Sequence, residues 1–409
     1  MVRKAKNYYH LAKAFIACLI YGFPAHKLTV VGITGTDGKT TTSTLLYHIL
    51  NESGRKTLLI STIGAYMHGK YFETGLHTTT PSSFEIQKLL KLAVKQGCTH
   101  AVLEITSHAL DQNRAWGIPF SIGVITNVST EHMDYHKTHK KYIKAKQKLL
   151  EHADIAIVNL DDSSYTTFEK AIPQPKLLTY SLKDKNATIC AEDFPITTSL
   201  MGDFNRQNIM AAILAAQRLG VSDEEIKHAV PLFEPPQGRQ EVVYDKTFRV
   251  MIDFAHTPNA FTKILPVVRE KTEGRLIHVF GAAGARDRTK RPLMGEASAA
   301  FSDVIVLTAE DPRNEPLEQI DFQIEQGITG FTLIDSAPTQ PKFAKSYVKI
   351  NDRKSAIEYA VSIAKKGDTI LITGKGHEKS INIKGKEFPW DDKKEALLAI
   401  SQVKQEQQV

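Results

Sequence analysis

The stretch GITGTDGKTTT, residues 32–42, overlaps the end of an apolar run, LTVVGI at 28–33, and leads into a helical period at 40–53 that stops at Gly54. Strand, glycine turn and helix in that order make a phosphate loop. Glycines at 35 and 38 let backbone N–H groups turn inward around an anion, and the helix N-terminus adds its positive end. Lys39 can reach β- and γ-phosphates, and the Thr40 hydroxyl stands where a Mg²⁺ is held. The strict G-x-x-x-x-G-K-[ST] spacing is not met, because Ile33 occupies its first glycine position. With the GKTT core intact, these residues predict a nucleoside triphosphate site.

Outward from this loop, short apolar runs alternate with helical periods, as in βα units around a largely parallel sheet. TLLIST (57–62), HAVLEI (100–105), SIGVITN (121–127) and IAIVNL (155–160) read as buried strands. Helices are expected at 139–152 and 206–219, the latter ending at Gly220. PLFEPPQGR, 231–239, carries three prolines and a glycine and reads as a linker. The alternation then restarts, with strands at RVMIDFA, LIHVFGA, DVIVLTAE and DTILITG and helices after Pro258, Pro292, Glu315 and Arg353. The expected organisation is α/β throughout. A helical leader (1–27) precedes a phosphate-loop domain (28–236) and a Rossmann-like doubly wound C-terminal domain (237–409).

Composition narrows the class. The chain has 409 residues, 42% hydrophobic and 24% charged, which excludes disordered, collagen-like and disulfide-scaffold proteins. Its net charge of +7 favours anionic ligands but is too dispersed to indicate nucleic acid. Cys18, Cys98 and Cys190 lie far apart and form no CxxC, as expected of a cytoplasmic enzyme. Arg3, Lys4 and Lys6 precede a mostly apolar stretch at 11–23, but Lys13 interrupts it. That stretch is shorter than the ~20 residues of a membrane span. It reads as an amphipathic helix packing on the next domain.

Glu104 closes the strand HAVLEI, and His132 follows the strand that ends at Asn127. Carboxyl ends of parallel strands converge on the ligand crevice, so both residues could complete the metal site that Thr40 begins. The run EHMDYHKTH offers His132, His136 and His139, which raises zinc. Met133 fills the Glu position of HExxH and no soft ligand stands nearby, so His136 and His139 read as polar surface or supporting groups.

Taken together, GTDGKTT, TTTP (78–81), EITSHAL (104–110) and ITNVSTEHMDYH (125–136) resemble the Mur ligases. GDFNRQN (202–208), GRQEV (238–242), DFAHTPNA (253–260), FGAAGARDRTKRPLMG (280–295) and GKGHE (374–378) extend the resemblance to about residue 398. It is strongest to the branch that adds the third residue of the peptidoglycan stem peptide. The resemblance implies ATP-dependent amide formation: a carboxylate of UDP-N-acetylmuramoyl-L-Ala-D-Glu attacks the γ-phosphate, and the amine of a diamino acid displaces phosphate from the acyl phosphate.

By the same resemblance, Gly35, Thr36, Asp37, Gly38, Lys39, Thr40 and Thr41 hold the phosphates, and Thr40, Glu104 and His132 serve the metals. Lys146, in IKAKQKL, aligns with the lysine that becomes carbamylated and supports a second Mg²⁺. Asn208 faces the adenine, Asp253 contacts the ribose with His256 on the same loop, and Arg239 reaches the γ-phosphate. Thr79, Thr80, Thr106, Ser107, Gln112 and Arg114 fall where the muramyl-peptide is contacted, Thr106 replacing a usual serine.

The diaminopimelate members carry D-N-P-R; here the stretch is Glu310-Asp311-Pro312-Arg313, with Asp311 for Asn. Arg313, with Gly374 and Glu378, favours meso-diaminopimelate over L-lysine. The family's N-terminal uridine-binding domain has no counterpart before residue 28. The UDP end is therefore expected to be held differently, held weakly, supplied by a partner chain, or absent from the substrate; a monomer is compatible with all but the third. A folylpolyglutamate synthetase-like ligase and a regulatory P-loop ATPase are the rival readings.

Overall fold

The computed structural model describes residues 2–75, 79–129, 133–334 and 345–406. The chain divides into two compact units, Met1–Pro236 and Gln237–Val409, and the division falls within the proline-rich stretch 231–239.

The first unit opens with α1 (Val2–Tyr21), β1 (Thr29–Thr34), α2 (Lys39–Glu52) and β2 (Thr57–Ser61). A hairpin, β3 (Gly64–Met67) and β4 (Lys70–Phe72), precedes α3 (Ser83–Lys95) and β5 (His100–Glu104). Then come α4 (Ser107–Asp111), β6 (Phe120–Ile125), α5 (Met133–His136), α6 (His139–His152) and β7 (Ala153–Asn159). The unit closes with α7 (Tyr165–Ala171), β8 (Leu177–Ser181), β9 (Ile189–Cys190), α8 (Asp203–Arg218) and α9 (Asp223–Ala229).

Its strands form one sheet in the order β4-β3-β2-β5-β1-β6-β7-β8-β9. From β2 to β9 along that order the neighbours pair in parallel, whereas β3 pairs antiparallel with both β2 and β4. One face is covered by α2 and α8 through Leu45, Ile49, Ile209 and Ile213. The other is covered by α3 and α6 through Ile86, Leu90 and Leu149. Both faces of the parallel strands are thus shielded, as their continuous apolar runs require.

Helix α1 lies against α3 on this unit. Its polarity departs from the amphipathic expectation. The small residues Ala14, Ala17 and Cys18 are buried, and the large apolar side chains face out. Close approach is the reason: a Cβ on Gly117 would lie 2.6 Å from the Cys18 sulfur, so no bulky side chain fits between.

The second unit contains β10 (Glu241–Asp245), β11 (Arg249–Asp253), α10 (Pro258–Glu270), β12 (Leu276–Phe280) and α11 (Lys290–Phe301). β13 (Val304–Leu307), α12 (Leu317–Glu325), β14 (Thr332–Leu333), β15 (Ser346–Lys349) and α13 (Arg353–Ser362) follow. It ends with β16 (Thr369–Thr373), the hairpin β17 (Ser380–Ile383) and β18 (Lys386–Pro389), and α14 (Asp392–Glu406). The sheet order is β10-β11-β16-β12-β13-β15-β14, parallel except for β10. Its own core joins Val250, Ile277, Val306 and Ile372 of the sheet to Ile357 and Ala360 of α13 and Ala399 of α14.

α8 begins at Asp203, before the expected Arg206, and α11 begins at Lys290, before Pro292. A proline in the first helical turn loses no hydrogen bond, because those N–H groups have no partner within the helix. Among the described residues, no helix is long and apolar enough to cross a membrane.

Candidate functional site

In the first unit the phosphate loop turns between β1 and α2, with Gly35 and Gly38 both at positive φ. Gly38, at φ +81°, is also sterically required: a Cβ there would lie 2.0 Å from Oδ1 of Asn208. Asn208 is held in turn by Asn205, whose Oδ1 accepts from Asn208 Nδ2 at 3.2 Å. Side chains from the end of β6 brace the loop. Thr126 and Asn127 donate to the Asp37 carbonyl at 2.6 and 3.0 Å, and the Asp37 N–H donates to Asn127 Oδ1 at 3.0 Å. Thr36 Oγ1 lies 3.0 Å from the Tyr142 hydroxyl and accepts from the Ser129 N–H at 3.0 Å. Lys39 Nζ donates to the Thr36 carbonyl at 2.7 Å, which folds the ammonium over the loop.

Glu104 is buried at the end of β5, next to β1 in the sheet, so its carboxylate arrives beside the start of α2. The Thr40 hydroxyl is 3.1 Å from each of its oxygens. Thr62, just past β2, contributes its N–H at 2.9 Å and its hydroxyl at 2.8 Å to the same carboxylate. Thr62 was not singled out from the sequence, which placed it as the last residue of the strand at 57–62; the structure ends that strand at Ser61. The Thr40 hydroxyl and Glu104 carboxylate are hard oxygen donors of the kind Mg²⁺ takes. His132 lies outside the described residues, and with it any account of its place. Among the described residues no group of three or more His, Cys, Asp or Glu side chains is arranged to hold a metal.

Lys146 sits one turn along α6 from Tyr142 and is buried. Its Nζ donates to the Gly35 carbonyl at 2.5 Å and stands 4.5 Å from the centre of the Tyr142 ring. Lys144 and Lys148 are both more exposed, so the fold separates Lys146 from its neighbours where sequence alone could not.

The residues expected to meet the acceptor converge beyond β5. Thr80 Oγ1 donates to the Glu104 carbonyl at 3.1 Å and accepts from the Thr106 N–H at 2.9 Å. Thr79 and Thr62 hydroxyls are 3.1 Å apart. Thr106 caps α4, accepting from the Ala109 N–H at 3.2 Å, so the hydroxyl kept in place of serine still satisfies the helix start. Arg114 donates to Gln112 Oε1 at 2.8 Å and to the Thr80 carbonyl at 2.9 Å. Ser107 Oγ lies 3.0 Å from His136 Nε2. His136 is fully buried, with its ring centre 5.2 Å from that of Tyr142, so the surface reading fails for it. His139 is exposed.

In the second unit, Arg239 lies 4.5 Å from the centre of the Phe254 ring. Asp253 ends β11, its two oxygens accepting from the Gln240 and Ala255 N–H groups, each at 2.8 Å. His256 Nδ1 is 2.8 Å from the Phe254 carbonyl, and Lys290 donates to the His256 carbonyl at 2.8 Å.

A charge cluster occupies the ends of β13 and β16, two strands that flank β12. Lys375 is fully buried, 2.8 Å from Asp311 Oδ1 and 2.5 Å from Glu378 Oε2. Glu310 lies beside Gly374, where burial pushes its carboxyl up to about 7 and Oε2 has no hydrogen-bond partner. Arg313, at φ +54°, pairs with Ile383 of β17: its N–H donates to the Asn382 carbonyl at 3.0 Å and its carbonyl accepts from Lys384 at 2.6 Å. Three carboxyl groups around one lysine suit a ligand ammonium, and Arg313 nearby suits a carboxylate. Glu310 and Lys375 were not singled out individually from the sequence.

Two domain families match the chain: the Mur ligase middle domain over residues 33–216, and the Mur ligase glutamate ligase domain over residues 238–376. UDP-N-acetylmuramoyl-L-alanyl-D-glutamate–2,6-diaminopimelate ligase 1 of Clostridium acetobutylicum is 37% identical over 403 residues, covering 93% of this chain and 80% of that protein. The ligase of the same name from Aquifex aeolicus is 38% identical over 390 residues, covering 91% and 77%. A solved structure of a 2,6-diaminopimelate ligase of that name superposes with a TM-score of 0.64 at 32% identity, over 92% of this chain and 78% of that one. Escherichia coli FolC in complex with ADP reaches 0.70 at 18% identity, a likeness of fold alone. On these matches, spread over both units and carrying the motifs in order, the chain belongs to the Mur ligase family.

Proposed function

We propose that the chain is an ATP-dependent ligase that joins a diamino acid, meso-diaminopimelate in preference to L-lysine, to the D-glutamyl carboxylate of UDP-N-acetylmuramoyl-L-Ala-D-Glu in the cytoplasm. The observation that carries this reading is the Glu104 carboxylate, buried and shared with Thr40 at the start of the phosphate-loop helix. The names of relatives at 37–38% identity supply the substrates.

The chemistry brings two anions together, a carboxylate and a γ-phosphate, so positioning and charge neutralisation account for most of the catalysis. The loop N–H groups and Lys39 hold the β- and γ-phosphates. Asn208, Asp253 and His256 hold the nucleoside, and Arg239 closes on the γ-phosphate when both substrates are present. Thr40, Glu104 and His132 would hold Mg²⁺, which supplies further positive charge against the phosphates when bound. Lys146, its ammonium giving up one proton to free the amine and a second as Nζ bonds to CO₂, would become an anionic carbamate able to support a second Mg²⁺. Thr79, Thr80, Thr106, Ser107, Gln112 and Arg114 orient the acceptor carboxylate for in-line attack. ADP leaves after the acyl phosphate forms. The amine, held by Asp311, Gly374 and Glu378 with the distal carboxylate on Arg313, then displaces phosphate.

The deciding experiment is phosphate release measured with the muramyl-dipeptide, the diamino acid, both or neither. Release that requires both, with a higher kcat/KM for meso-diaminopimelate than for L-lysine, is the expected result. Hydrolysis indifferent to both substrates would overturn the ligase assignment, and a preference for lysine would overturn the choice of amino acid.

A further inference from the structure

Helix α1 is built with its small residues inward and its large ones outward. Ala14, Ala17 and Cys18 face the unit and are fully buried. Tyr8, Tyr9, Phe15, Ile16, Leu19 and Ile20 are between 46% and 73% exposed. At 3.6 residues per turn these six lie within an arc of about 140° on one side of the helix, together with exposed Ala12. No charged residue falls inside that arc. Lys6 and Lys13 border it on one side, Lys13 resting over the Tyr9 ring at 5.2 Å from its centre. The patch continues onto the body of the unit, where half-exposed Trp116 stands 5.5 Å from Phe15, ring centre to ring centre.

A contiguous apolar face of this kind needs a covering. Charge decides which. The first acidic residue of the chain is Asp37; before it stand Arg3, Lys4, Lys6, Lys13 and Lys27 with no carboxylate among them. A second copy docked through the same face would set Lys6 and Lys13 against like charges. A surface carrying negative charge is attracted by all of them. Tyrosine and tryptophan at the patch are the side chains that favour the boundary between apolar and wet phases. The helix is too polar to span a bilayer, yet it has the cationic flank and aromatic-aliphatic face of a helix lying in the plane of one.

We propose that α1 and Trp116 form a docking face for an anionic lipid surface, with the apolar stripe seated among the headgroups and acyl chains and the flanking lysines against lipid phosphates. The attachment is thereby peripheral, its strength set by the apolar area buried and by the attraction of the lysines to anionic lipid.

The test is co-sedimentation of the full chain with phosphatidylcholine vesicles, with and without phosphatidylglycerol. Sedimentation with the anionic vesicles only, weakened by added salt, is expected. Phe15→Asp with Leu19→Asp lowers the bound fraction at least about tenfold, and Lys6→Glu or Lys13→Glu about fivefold each. These variants keep the wild-type circular dichroism and melting temperature, because the altered side chains are exposed or border the solvent. The tryptophan emission of the wild type shifts to the blue on binding, and Trp116→Phe loses most of that shift while still sedimenting. Failure to bind anionic vesicles, equal binding to neutral ones, or unchanged binding by the double variant would each overturn the proposal. So would a concentration-dependent dimer that the double variant abolishes, which would assign the face to a second copy.

Discussion

A single buried lysine shows how much the surroundings of a residue decide. Lys146 belongs to a run of lysines on α6, and in an isolated helix each would be solvated. Here Tyr142, one turn earlier, and the Gly35 carbonyl enclose its amine. Lys146→Ala is expected to lose ligase activity and to regain part of it with a short carboxylic acid added, measured as phosphate release; full activity without rescue would remove Lys146 from the mechanism. Asp321 is a second residue whose setting outweighs its type. Burial first, and Glu325 next, push its carboxyl up to about 7 against the pull of Lys349, and Oδ1 has no hydrogen-bond partner. The folded chain therefore keeps a proton that the unfolded chain releases from about pH 4 upward, so this group costs stability increasingly between there and pH 7. Asp321→Asn should melt higher than the wild type at pH 8, with the advantage vanishing near pH 4.

At the scale of elements, the phosphate loop was legible because every requirement is local: an apolar strand, glycines that turn, a lysine and threonines that open a helix. The two hairpins were not. β3–β4 turns through His68-Gly69 and β17–β18 through Lys384-Gly385, all four residues at positive φ. Such two-residue turns match the twist of the strands they join, but their usual sequence signal is Asn or Asp before the glycine. The strands of both hairpins are also short and partly polar, which hides their alternation. The acidic cluster of the second unit was hidden differently, since it exists only because β13 and β16 both lie beside β12. Its loops are tightly fitted: the Gly284 N–H donates to the Asp311 carbonyl at 2.8 Å, and a Cβ on Gly284 would come within 1.9 Å of the Pro312 carbonyl. Gly284→Ala should force these backbones apart, costing roughly 1–3 kcal/mol in stability. It should raise KM for the diamino acid with little change in ATP affinity, which steady-state kinetics on the two substrates would separate.

At the scale of the molecule, each unit carries its own apolar core around its own sheet. The alternating βα pattern announced both sheets and their parallel sense; the antiparallel strands β3 and β10 follow from local turns that the pattern does not encode. A fragment of residues 237–409 is expected to fold by itself, with a single cooperative thermal transition by circular dichroism; a fragment lacking such a transition would show that this core needs the remainder of the chain. Within that core, Arg353 is fully buried where α13 begins. It grips Asp392 at the start of α14 through two bonds of 2.8 Å and donates to the carbonyls of Ala309 and Thr373 at 3.1 and 2.9 Å. Those two carbonyls belong to the residues just before Glu310 and Gly374. One guanidinium thus yokes the roots of both loops that would receive the amino acid to the two helices behind them. The loops share a common anchor, so a disturbance reaching either one is passed to the other, and the cleft they form keeps its width as a unit.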